Sequence, residues 1–154
     1  MSRDVLYLVI RLGADRYAIE TSQVVEVLPL VRLKELPGAP AGVAGVMNFR
    51  DSAVPVVDLN LIAMGSATPL RRTTRIVIVQ YEAEEGPLGL LVPEATEALR
   101  LDADAFVDAR IATEGARYLG DVLTTPDGVI QRVTVSALLT PELRDALFRP
   151  AGSA

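Results

Sequence analysis

Short runs of alternating apolar and polar residues fill most of the chain, separated by turn residues. This is the pattern of half-buried β-strands. Residues 5–12 make the first run and end at the turn signal Gly13-Ala14-Asp15; residues 16–20 return as its hairpin partner, with Tyr17 and Ile19 on one face. Thr21-Ser22-Gln23 is a polar break with room for one helical turn before the strand 24–30, whose Pro29 ends ladder pairing on one side because it has no N–H. Residues 32–40 read as a loop punctuated by Pro37, Gly38 and Pro40. Two β-rich runs then flank the polar tip Asn48 to Ser52, where Asp51-Ser52 is turn chemistry and Arg50 stands at the tip. Leu59 to Met64 reads as a short helix stopped by Gly65.

Beyond a connector over 65–72 the pattern starts again. Residues 74–81 hold the apolar run Ile76-Val77-Ile78-Val79, an acidic turn follows over 82–85, and 86–92 returns. Residues 94–101 alternate, with Ala95, Leu99 and Leu101 among polar neighbours, and Phe106 anchors a polar helical turn over 102–108. Residues 118–125 and 129–135 form a last hairpin around Pro126-Asp127-Gly128, and 136–139 a further turn. Thr140 as N-cap and Pro141 at the first helical position open a C-terminal helix over 140–148. The halves match in pattern: 6–27 lies on 75–98, with Glu97 at the position of Glu26, and 45–58 lies on 120–134. A five-strand unit thus occurs twice, and each alone offers too small a core, which favours packing the two together. The expected division is a single domain over 1–154, with one sub-barrel over about 5–64 and a second over about 74–139.

Composition removes most chemistry. With no cysteine and no histidine among 154 residues, disulfides, thiolate nucleophiles, the usual zinc sites and Ser-His-Asp triads are all excluded. A carboxylate-only calcium or magnesium site is formally open, but the acidic residues lack EF-hand spacing, and Asp102, Asp104 and Asp108 read as a solvated acidic loop. No metal and no cofactor is expected. No apolar run reaches the roughly 18 residues a membrane span requires, and no signal peptide is visible, so a cytoplasmic protein without direct membrane insertion is expected. The start at Met1 and the tail Pro150 to Ala154 are expected of a free-standing module.

The segments Val24-Val25-Glu26-Val27, Leu36-Pro37-Gly38, Gly45-Val46-Met47-Asn48-Phe49-Arg50 and Val54-Pro55-Val56-Val57-Asp58-Leu59 resemble, in this order, the CheW family of chemotaxis coupling proteins. Asp51 departs from that pattern, standing where the family usually has Gly. The resemblance implies a mainly β fold: two small five-stranded SH3-like β-barrels packed together, with short helices, a C-terminal helix and a groove between the barrels. It implies a non-enzymatic adaptor that couples transmembrane chemoreceptors to a CheA-type histidine kinase in a chemosensory array. The partners implied are the receptor's cytoplasmic tip, held in the groove, and the kinase's regulatory domain. Carried over residue by residue, Glu26, Arg50, Val24 and Gly45 would be receptor-binding, and Leu90-Leu91-Val92 would supply the opposite wall. By ordinary rules Arg50 is a solvated hairpin-tip arginine, Glu26 an outward residue of an alternating strand, Val24 core and Gly45 a backbone accommodation. Asp58 is expected to bond backbone groups at the start of the turn after its strand.

Two other classes compete. A nucleic-acid-binding β-barrel needs a basic groove with stacking aromatics, whereas this chain carries a net charge of −5 and only three Phe and four Tyr. An enzyme built on Asp or Glu alone, such as a small glycosidase, needs a convergent carboxylate pair, and no pair stands out.

Overall fold

A computed structural model describes residues 3–82, 86–108 and 118–148. Among them, ten strands run in the order β1 Asp4–Leu12, β2 Asp15–Glu20, β3 Val24–Pro29, β4 Val43–Phe49, β5 Ser52–Asp58, β6 Arg75–Glu82, β7 Gly86–Val92, β8 Glu94–Asp102, β9 Leu119–Thr125 and β10 Gly128–Val133. Helix α1 (Leu59–Met64) separates β5 from β6, and α2 (Pro141–Phe148) follows β10. Single 3-10 turns occupy Thr21–Gln23, Ala103–Ala105 and Val135–Ala137. The acidic turn at 83–85 and the tail from 149 lie outside the described residues.

The elements match the alternation read from the sequence, but their grouping corrects it. One sheet has the order β8-β1-β2-β10-β9 and the other β3-β6-β7-β5-β4. Neither barrel is therefore a contiguous half of the chain, as 5–64 and 74–139 would have it. Each repeat keeps its last three strands and gives its first hairpin to the other barrel. The links explain the exchange. The turn at Thr21–Gln23 and the single residue Pro93, which has no N–H to continue a ladder, carry the chain from one sheet to the other. The repeat itself survives in detail: Glu26 pairs with Ile78 and Glu97 with Val9, each beside a register shift in the same place.

Each sheet closes on itself in the same way. After β3, Lys34 bridges Val46 of β4 by two backbone hydrogen bonds of 2.8 Å; after β8, Val107 bridges Val122 of β9. The closing strand thus comes from the far side of the same sheet, which covers part of its open edges.

Closure produces three cores. Met47, Val54, Val56, Ile76, Ile78 and Leu91 fill the β3–β7 barrel. Tyr7, Ala18, Phe106 and Ile130 fill the other. The largest core lies between the sheets and takes Ile10, Leu12, Tyr17 and Ile19 from one, and Val57, Val77, Val79, Leu88, Leu90 and Val92 from the other. Strand β6 explains its unbroken apolar run: Ile76 and Ile78 point into its own barrel while Val77 and Val79 point at the neighbouring one.

Polar side chains hold the connections. The buried Asp58 carboxylate caps α1 by accepting from the Leu61 N–H (3.1 Å), and also accepts from the Thr68 N–H (2.9 Å) and Thr68 Oγ1 (2.6 Å). Gly65, in the left-handed conformation at φ 79°, ends the helix. The buried Asn60 accepts from the Gly13 N–H and donates to the Ser66 carbonyl, both at 2.9 Å, so α1 is tied to the β1–β2 turn of the other barrel. At α2, Thr140 Oγ1 accepts from the Leu143 N–H, and Phe148 stacks on Tyr81 with ring centroids 5.6 Å apart.

Candidate functional site

The site grows from the two-residue turn between β4 and β5. Phe49 and Ser52 form the last cross-strand pair, leaving Arg50 (φ 50°) and Asp51 (φ 65°) as the loop. Two successive positive φ angles define a type I′ turn, whose twist suits the right-handed twist of the strands. Asp tolerates this conformation at some cost and Gly at none. Asp51→Gly is therefore expected to raise stability by about 0.5–1 kcal/mol in urea unfolding, and a bulkier Asp51→Val to lower it.

The turn aims Arg50 back over its own barrel. Its guanidinium carbon lies 4.7 Å from the centre of the Phe49 ring, and Nη2 is 3.8 Å from Glu26 Oε2. Strands β3 and β4 are the outermost members of their sheet; four strand spacings would separate them by roughly 19 Å if the sheet were flat. Barrel closure is what brings Glu26 to Arg50. Glu26 lies opposite Ile78 and Leu28 opposite Ile76, so Glu26 is on the barrel-core side of β3 and meets Arg50 at the barrel mouth. With side chains 43% and 66% exposed, the pair contributes only about 0–1 kcal/mol to folding.

The other two expected contact residues lie elsewhere. The register shift after Val24 turns it to the opposite side of β3, level with Val79, where it packs on the core between the sheets. Gly45 is buried under the closing segment: a Cβ there would sit 2.5 Å from the Lys34 carbonyl oxygen. Its role is backbone accommodation. The expected opposite wall, Leu90-Leu91-Val92, is corrected. It is part of β7, a central strand bonded on both sides, and its side chains are buried in the cores.

Sequence reasoning missed the apolar surface beside Glu26. Val25, Val27, Leu30, Val31 and Leu36 are all exposed by a third or more. The signal was present in Val24-Val25-Glu26-Val27, which places three valines on the last strand of a sheet. An open groove runs beside this surface, between the Arg32–Glu35 segment and Val46, Met47 and Asn48, and continues to Asp51 and Ser52.

Among the described residues no group of three or more acidic side chains could hold a metal ion. Asp102 is occupied locally, accepting from the N–H groups of Arg3 (2.9 Å) and Asp104 (3.0 Å), which hold its carboxyl below the ordinary value of 3.8. A lowered folded-state pKa favours folding above the ordinary value, and that support fades as pH falls through the lowered one. Asp102→Asn is accordingly expected to flatten the acid side of the Tm–pH profile and leave its alkaline side unchanged.

Comparison with known proteins places this geometry. The profile of the CheW-like domain matches residues 6–142. The chain is 29% identical over 139 residues to "Chemotaxis protein CheW" of Rhizobium meliloti, covering 88% of each protein. It is 29% identical over 106 residues to "Protein PilI" of Pseudomonas aeruginosa, covering 69% of this chain and 58% of that protein. The crystal structure of the scaffolding protein TtCheW from Thermoanaerobacter tengcongensis superposes with a TM-score of 0.81 at 21% identity, covering 93% of this chain and 92% of that one, which shows the same fold.

Proposed function

The chain belongs to the CheW-like domain family, and from that premise we propose that it is a chemotaxis coupling adaptor, a scaffold and not an enzyme. Its partners are chemoreceptors and a histidine kinase of the CheA type. In finer detail, the cytoplasmic tip of a receptor docks on the surface around Arg50 and Glu26, with Val24 and Gly45 supporting that surface from within. The kinase's regulatory domain packs barrel against barrel. No helix among the described residues is long and apolar enough to cross a membrane, and attachment to the membrane array runs through these partners. Individually weak contacts gain avidity there by repetition.

The observation that carries this reading is the Glu26–Arg50 pair at the barrel mouth beside exposed Val25 and Val27. An oriented guanidinium with rigid donors beside apolar surface is the composition of an interface hot spot. A nucleic-acid reading finds no comparable support, since acids outnumber bases, 20 to 15.

Arg50→Ala tests it. Binding to soluble receptor-tip fragments is expected to weaken by more than about 1 kcal/mol, while folding stability changes by less than about 0.5 kcal/mol. Parallel loss of fold and binding would remove the case for Arg50 as a contact. In a double-mutant cycle with Glu26→Ala, strictly additive effects on binding would remove the case for Glu26 as its orienting partner.

A further inference from the structure

Barrel closure is incomplete on one side of β4. Phe49 and Ser52 close a two-residue hairpin, so their backbone groups bond each other across it; by the alternation of an antiparallel ladder, those of Val46 and Asn48 point the other way. Val46 uses both its groups on Lys34. Arg32 is the residue that would meet Asn48 if this ladder continued, and among the described residues no bridge joins them. The open groove lies there, lined by Arg32, Leu33, Lys34, Glu35, Val46, Met47 and Asn48, so two cations face it against one acid. Arg32 and Lys34, two residues apart on one side of the closing segment, are exposed and carry none of the ion pairs found among the described residues. Exposed Leu30 and Val31 lead into the seam.

We propose that this seam is a strand-addition site, in which an extended acidic peptide of a partner bonds the free Asn48 edge of β4 and sets its carboxylates against Arg32 and Lys34. The main chain supplies the hydrogen bonds and alternate side chains the selectivity. A second copy of the chain is the wrong occupant: paired edge to edge, it would bring Arg32 and Lys34 against their own equivalents, the like-charge arrangement that protects natural edges from self-pairing. The cations thus exclude self-association and select an acidic strand. The site adjoins the Arg50 turn but uses the backbone of β4 and the cations of the closing segment, and does not depend on the receptor reading.

The test uses the whole protein and a fluorescent peptide of alternating glutamate and valine. Three controls accompany it: the same peptide N-methylated at alternate residues, a lysine-for-glutamate version, and sedimentation of the protein alone. The peptide is expected to bind and to shift the Asn48 amide resonance. Affinity should fall about tenfold or more on N-methylation, on charge reversal of Arg32 and Lys34 to Glu, and in Asn48→Pro, which deletes the seam-facing N–H without touching the β5 ladder. Arg50→Ala should leave it unchanged. Absence of binding, equal binding of the N-methylated or lysine peptide, or self-association of the chain through this edge would each overturn the proposal. Should Asn48→Pro fail to fold, the N-methylated peptide on the unaltered protein still decides.

Discussion

Gly45→Ala is expected to destabilise the protein by about 3–4 kcal/mol, with a drop in Tm of roughly 10 °C. The added Cβ would lie 2.5 Å from the Lys34 carbonyl oxygen and 3.1 Å from the Leu33 Cβ, at a backbone φ of +150°. A carbonyl oxygen cannot rotate out of the way as a side chain can. Relief requires the closing segment to lift, and with it go the two hydrogen bonds between Lys34 and Val46. Gly38→Ala is the matched control: its φ is +78°, but nothing lies within 4 Å of the new Cβ, so only backbone strain of about 1 kcal/mol is expected. Urea unfolding of both variants separates the two costs. Similar losses would mean that the Lys34 crossing does not constrain Gly45. The larger loss also bears on function, because lifting the segment loosens the closure that holds Glu26 against Arg50.

The second large effect is expected at Asp58. Asp58→Ala should cost about 3 kcal/mol, because it strips acceptors from the Leu61 N–H, the Thr68 N–H and the Thr68 hydroxyl at a position only 7% exposed. Asp58→Asn retains one acceptor oxygen but turns an NH2 group toward donors, and should lose about half as much. The carboxylate joins the end of β5, the start of α1 and the connector toward β6, so its removal is expected to loosen the passage between the two repeats. An Asp58→Ala variant within about 1 kcal/mol of the unaltered protein would show that water replaces the carboxylate without penalty.

Some of the molecule was legible residue by residue, and the reasons are local. Asp58 and Gly65 frame α1 because a carboxylate caps the first turn and a glycine accepts the left-handed angle at the end. Thr140 and Pro141 open α2 by the same kind of rule. The repeat was visible because Glu26 and Glu97 occupy corresponding strands. Other features were not legible. Nothing local distinguishes a hairpin that stays with its own repeat from one that joins the other, since Ile76-Val77-Ile78-Val79 reads alike in either barrel. Val24 packs on the core as its residue type suggested, yet Val25 and Val27 of the same outer strand are exposed, which residue type alone does not distinguish.

Local chemistry, then, settled the strands, turns and helix ends, the exclusion of histidine- and cysteine-based catalysis, and the likeness to an adaptor family. Each depends on neighbours in the chain or on residue types present or missing, and short-range sterics and hydrogen bonding suffice to decide them. Only the folded arrangement decided that the hairpins trade barrels, that Gly45 lies under a crossing carbonyl, and that Glu26 reaches Arg50 while Val24 turns away from it. These depend on closure of a sheet and on register shifts, which bring together residues that no local interaction links.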